Sequence, residues 1–241
     1  MLFPELIPVA ETAALLWQKG WAERNGGNMV VRVDSSHLVY HPVVSVPIPI
    51  GASVPHLKGM HFYCKGSGHR MRDVAKSPLE HGSIIRILDD AEHYAIVFER
   101  PIRPTSEITA HLLIHNQMVA NASPNKVSLH THPTTLVALS HIDSLCTGDT
   151  LTRTLHAMLP EARLFCSKGI NIVPYLEPGS SRLARSTTRA ITEHDIVLWR
   201  KHGVLAVGPD PIEAFDTIDI MEKAADIYLR FQTLQSALLH N

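Results

Sequence analysis

Val127-Ser128-Leu129-His130-Thr131-His132-Pro133 reads as a short strand that ends at a proline. Residues two apart on a strand share a face. Val127, Leu129 and Thr131 therefore point to one side, towards a core, while Ser128, His130 and His132 project together on the other. A polar histidine face backed by an apolar face is how a sheet edge presents a metal site, because imidazole is the commonest metal-binding side chain and suits zinc. A second reading stands beside it. The chain holds 16 histidines in 241 residues, and a chance H-x-H pair of partly buried structural histidines is not rare.

The segments on either side have helical or strand character in alternation. Downstream, Pro133 opens a helix, another covers about 148–159, residues 163–174 are strand-like, and Ser180 can cap a helix reaching Glu193. Residues 196–207 are two short strands interrupted at His202-Gly203, and Pro211 opens a long helix ending near 238. Upstream, a helix over about 106–120 follows Pro104, with Thr105 or Ser106 as cap; 84–88 and 94–98 form a hairpin around Asp89-Asp90. A strand at 61–64 runs into Lys65-Gly66-Ser67-Gly68, and 42–59 is loop-rich. Strands at 29–33 and 38–40 flank a turn at 34–36, and a helix over 6–24 stops at Asn25-Gly26-Gly27. Interleaved strands and helices predict a mixed α/β layered fold. No linker, repeat or low-complexity tract divides residues 1–241, so one domain is expected.

Twenty-two Lys and Arg against 23 Asp and Glu leave a net charge of −1, which removes the electrostatic case for nucleic acid or an anionic membrane surface as partner. Forty-five per cent hydrophobic and 19% charged residues argue against disorder. The N-terminus lacks the basic and apolar regions of a signal peptide, and no apolar run is long enough for a membrane helix. Cys64, Cys146 and Cys166 are odd in number and far apart, which predicts reduced thiols in a cytoplasmic protein.

A catalytic zinc site needs a third protein ligand and an open position. His202 is the candidate, ending the apolar run Ile196-Val197-Leu198-Trp199, with Gly203 leaving space beside its ring; it also reads as a surface histidine at a hairpin. Glu107 sits in the first helical turn after Pro104-Thr105-Ser106. There it either compensates the helix dipole or presents a general acid/base at the rim of a site. His111 and His115 follow at i+4 and i+8, on a stripe that is either solvated or lines a cleft. Asn25-Gly26-Gly27-Asn28 and Gly66-Ser67-Gly68 are ordinary turns or backbone nests for an anion.

Taken together and in order, GWAERNGGNM (20–29), KGSG (65–68), RPTSE (103–107), LHTHPTTLVALSH (129–141), LWRKHGVLAVGP (198–209) and Ile220-Met221-Glu222-Lys223 resemble the class II aldolase/adducin family. The resemblance spans almost the whole chain. It implies a three-layer αβα fold with a central, mostly antiparallel sheet. It implies Zn2+ held by His130, His132 and His202, with Glu107 as the catalytic carboxylate. Asn25, Gly27, Asn28, Ser67, Gly68 and Ser106 match loops that hold substrate phosphate and the enediolate. Glu161 aligns with a glutamate that reaches a neighbouring subunit's site, in a cyclic homotetramer with active sites near subunit interfaces. The implied activity is reversible aldol cleavage of a sugar phosphate, L-rhamnulose 1-phosphate first, to glycerone phosphate and L-lactaldehyde. L-fuculose 1-phosphate cleavage, 4-epimerisation of a pentulose 5-phosphate and dehydration of methylthioribulose phosphate are the alternatives that the resemblance leaves open. A non-enzymatic adducin-like module would lack the full ligand set that this chain carries.

Overall fold

Leu6, Val9, Ala13 and Leu16 recur at helical spacing and are all buried along α1 (Leu6–Gln18). The helix stops earlier than its apolar pattern suggests. Gly20 takes a φ of 73°, and Trp21, which continues the pattern, is buried from outside the helix. The computed structural model describes residues 4–33, 36, 38, 42–97, 100–147 and 149–239. Of the strand expected at 38–40, only Leu38 lies among them, buried and not in a strand.

The remaining helices are α2 (Met71–Val74), α3 (Ile108–Ala120), α4 (Thr134–Leu139), α5 (Thr150–Met158), α6 (Pro160–Phe165), α7 (Ser181–Ala190) and α8 (Pro211–Leu239). The strands are β1 (Asn28–Val33), β2 (Ile48–Pro49), β3 (His61–Lys65), β4 (Gly82–Ile87), β5 (His93–Val97), β6 (Val127–Thr131), β7 (Ile170–Val173), β8 (Ile196–Trp199) and β9 (Gly203–Gly208). They form one sheet in the order β2-β5-β4-β3-β1-β6-β9-β8-β7. Every pairing is antiparallel except β7 with β8. The segment read as a strand over 163–174 divides instead: Leu164 and Phe165 are exposed at the end of α6, and only 170–173 pairs. A short apolar run does not distinguish helix from strand by period alone.

The sheet is covered on both faces, so the layers are α, β and α. On one face, Met29, Val31, Val127, Leu129, Val204 and Ala206 pack with α1, α2, α4, α5 and α8. On the other, α3 and α7 lie over two separate apolar clusters. One centres on Val30, Phe62 and Ile85, and the other on Val197, Trp199 and Leu205. Between those clusters runs a buried polar stripe of Asn28, His111, His115, Ser128 and His130. This stripe corrects both readings of His111 and His115, which are neither solvated nor on the cleft wall but sealed behind it.

Local chemistry fixes several ends. The Ser180 hydroxyl accepts from the Leu183 N–H and caps α7, as expected. Neither Thr105 nor Ser106 caps α3; Glu107 occupies that position, its N–H reaching the Thr105 hydroxyl at 3.3 Å. No neighbouring side chain caps α4. The buried Glu222 of α8 does so from a distance, accepting from the N–H groups of Thr135 and Leu136 at 2.7 and 2.8 Å. That contact ties the helix after the histidine strand to the C-terminal helix. No helix among the described residues is long and apolar enough to cross a membrane. All three cysteines are free thiols.

Candidate active site

Two strand neighbours and three connecting turns build the site. His130 pairs in register with Asn28 of β1 on one side and Leu205 of β9 on the other, at the middle of the sheet. The Trp21 carbonyl accepts from the Thr131 hydroxyl (2.7 Å) and the His132 N–H (3.0 Å), anchoring the 21–28 loop to the end of β6. The Lys65-Gly66-Ser67-Gly68 turn is laced to the segment before α3. Thr105 N–H donates to the Lys65 carbonyl at 3.0 Å, and Ser67 N–H to Arg103 at 2.8 Å. The β8–β9 turn that carries His202 is held from α4, where the Ser140 hydroxyl accepts from the Lys201 N–H at 2.8 Å.

These constraints bring Asn25, Gly27, Asn28, Ser67, Gly68, Ser106, Glu107, His130, His132 and His202 to the wall of one cleft. Glu161 is not on it; it stands exposed on α6 beside exposed Leu164 and Phe165. The cleft also includes Gly26, Lys65 and Thr105, none of which the sequence singled out individually. Lys65 is almost fully buried at the end of β3, donates to the Asn25 carbonyl at 2.9 Å, and is lowered to about 8 by burial, against the pull of Glu107.

His130, His132 and His202 can serve as ligands together, for one ring nitrogen from each lies within 4.8 Å of the others. His130 Nδ1–H donates to the Val204 carbonyl (2.8 Å) and His132 Nδ1–H to Glu23 Oε1 (2.7 Å). A neutral ring that donates in this way carries its lone pair on Nε2. Those two Nε2 atoms face each other at 3.2 Å. Facing lone pairs repel unless a proton or a cation lies between them, so the donor set fits a divalent metal, for which Glu23 and the Val204 carbonyl would orient the ligands. Burial holds His130 far below its usual range and lowers His202 to about 4, keeping both rings neutral as ligation requires. Glu23 is a further residue that sequence reasoning missed, being exposed and unremarkable in its loop.

Glu107 faces the three imidazoles. Its oxygens lie 3.7 Å from His130 Nε2 and 4.0 Å from His202 Nε2, and Asn28 Nδ2 donates to Oε2 at 2.9 Å. Burial pushes this carboxyl up; the Asn28 hydrogen bond and the charges of His132 and Lys65 pull it back. A buried carboxylate of raised basicity beside a cation site suits proton transfer to carbon.

Gly203 is the tightest backbone approach in the site. A Cβ there would stand 2.5 Å from the Thr131 carbonyl oxygen, 2.8 Å from His132 Cδ2 and 2.9 Å from His130 Cε1. Gly203→Ala is expected to weaken metal affinity about 10- to 100-fold by displacing both rings. A competitive chelator titration reads this directly, and unchanged affinity would count against the tight fit.

A family model described as "Class II Aldolase and Adducin N-terminal domain" matches residues 8–229. A Bacteroides thetaiotaomicron rhamnulose-1-phosphate aldolase is 46% identical over 232 residues, covering 95% of this chain and 86% of that protein. The protein of the same name from Escherichia coli O157:H7 is 31% identical, with 90% and 82% covered. The solved structure of a sugar-phosphate aldolase from Thermotoga maritima superposes with a TM-score of 0.84 at 33% identity, covering 95% of each chain.

Proposed function

Because the chain belongs to the class II aldolase and adducin family, we propose that it is a metal-dependent lyase that reversibly cleaves L-rhamnulose 1-phosphate to glycerone phosphate and L-lactaldehyde. One observation carries the reading: three imidazoles whose donor nitrogens lie within 4.8 Å of one another stand against a buried carboxylate, between two glycine-rich loops. His130, His132 and His202 hold Zn2+, the ion an all-imidazole set favours. When bound, the cation supplies Lewis-acid stabilisation to the substrate oxygens that gain negative charge as the bond between carbons 3 and 4 breaks.

Glu107 handles the proton. In the condensation direction its carboxylate removes one from the hydroxymethyl carbon of glycerone phosphate; after cleavage it returns that proton to the same carbon. Asn25, Gly27, Asn28, Ser67, Gly68 and Ser106 hold the phosphate end, so that binding energy remote from the reacting bond orients it. Such loops bind a dianion through backbone donors, which explains why a chain of net charge −1 can take a phosphate ester. Glu161 serves the site of a neighbouring copy in a homotetramer, handling the proton on the carbon-4 oxygen. Its exposure beside Leu164 and Phe165, away from its own cleft, supports this. Residues 1–241 act as one catalytic domain, and the free thiols fit a cytoplasmic enzyme.

Incubating the purified chain with glycerone phosphate and L-lactaldehyde should give L-rhamnulose 1-phosphate, with activity lost to a chelator and restored by Zn2+. L-fuculose 1-phosphate as the main product would move the specificity to the epimeric sugar. No aldol product with several aldehydes, from protein loaded with metal, would end the aldolase reading.

A further inference from the structure

The polar stripe behind the cleft is continuous. Glu107 Oε2 accepts from Asn28 Nδ2 at 2.9 Å, and Asn28 Oδ1 meets His111 Nε2 at 2.5 Å. His111 Nδ1 meets the Ser128 hydroxyl at 2.6 Å, and that oxygen lies 3.1 Å from His115 Nε2, which also faces the Val30 carbonyl at 3.2 Å. All of these side chains are buried.

The two ends leave one consistent direction for the hydrogens. An ionised Glu107 only accepts, so Asn28 must turn its amide nitrogen to it and its oxygen to His111. His111 must then carry its proton on Nε2, leaving a lone pair on Nδ1 for the Ser128 O–H. The Val30 carbonyl likewise only accepts, so His115 carries its proton on Nε2 and shares it with Ser128. Every donor from His115 to Asn28 points towards Glu107. The reverse arrangement would set the Ser128 O–H and the Val30 carbonyl in conflict over His115 Nε2. A half-satisfied buried network of this kind is costly.

We infer that His111, with Ser128 and His115 behind it, is a positioning residue that locks the Asn28 amide in the orientation that holds the Glu107 carboxylate in place. This rests on the aldolase reading only for its consequence in turnover; the hydrogen-bond direction is a property of the fold. Burial keeps both histidines neutral, lowered to about 3, so each has one N–H to place. His111→Leu removes the donor that fixes Asn28. His111→Gln keeps a donor for Asn28 and an acceptor for Ser128 on one side chain.

The test has two arms on the metal-loaded chain. In the first, long-range 15N–1H correlations of labelled histidines should show His111 as the Nε2–H tautomer; the Nδ1–H tautomer would overturn the relay whether or not the chain is active. In the second, exchange of the glycerone phosphate hydroxymethyl proton with solvent is followed. His111→Leu should lower kcat for exchange about 10- to 100-fold, with KM and metal content unchanged, and His111→Gln should restore it to within about threefold. Equal losses in both variants, accompanied by a lower Tm, would overturn the positioning role in favour of packing. Full activity in His111→Leu would overturn it as well. A wild-type chain without exchange would sink the aldolase reading, while the tautomer arm would still decide the relay.

Discussion

Glu107→Gln should retain the metal while proton exchange on glycerone phosphate falls about 10²- to 10⁴-fold, the usual contribution of a positioned general acid/base. Glutamine keeps the volume and an oxygen for the Asn28 Nδ2–H, so the cleft and its three imidazoles should be undisturbed. What it cannot do is accept a proton from carbon. Metal analysis and exchange measured on one preparation separate the two effects. Near-normal exchange in the variant would refute the role given to Glu107. Loss of metal together with exchange would instead make the carboxylate part of the cation site, as its 3.7 Å approach to His130 Nε2 permits.

A second large effect is acid unfolding. His111 and His115 ordinarily titrate near 6.5 but are lowered to about 3 in the folded chain. Above 6.5 both states leave them neutral, and their contribution to stability is complete. As pH falls below 6.5 the unfolded chain takes up two protons that the folded chain refuses. Stability then drops by about 1.4 kcal/mol per pH unit for each group, until the folded value is reached. By pH 4 the pair costs roughly 7 kcal/mol, a large part of the roughly 5–15 kcal/mol that holds an ordinary domain together. His130 and His202, also lowered, act in the same direction in the metal-free chain, while raised carboxyls such as Glu107 oppose it. The pair is therefore isolated by comparison. With chelator present, the Tm of wild type should fall steeply between pH 6.5 and 4, and His111→Gln/His115→Gln should flatten that slope. Parallel slopes would show that the two histidines do not govern it.

The central histidine strand was legible because period-two alternation separates Leu129 from His130 without reference to the rest of the fold. His202 was legible through Gly203, whose missing side chain the site does require. Glu107 was not, from position alone, since an acid at a helix start has an ordinary electrostatic reason to be there; only the ensemble of motifs singled it out. Lys65 and Glu23 escaped because their chemistry depends on where loops fold back: Lys65 reads as the first residue of a glycine-rich turn and Glu23 as the end of a helix over 6–24. The burial of His111 and His115 escaped because a helix face shows its histidines without showing what covers them. The sheet order and the parallel β7–β8 pairing join segments distant in sequence, so local pattern carries no trace of them.

The register of β1 on β6 has a kinetic meaning. Asn28 and His130 meet across a loop of about a hundred residues, and His202 arrives from a third distant strand pair. Closing such loops is slow compared with forming helices. A slip of one residue would turn Leu129 into the cleft and bury His130 against α1 and α8. The ligand triad therefore comes into being only when the long-range pairing is complete and correctly aligned. Tight uptake of a cation would certify the assembled centre of the sheet, and a misaligned chain would be left without the stabilisation that an ion confers on the form that binds it.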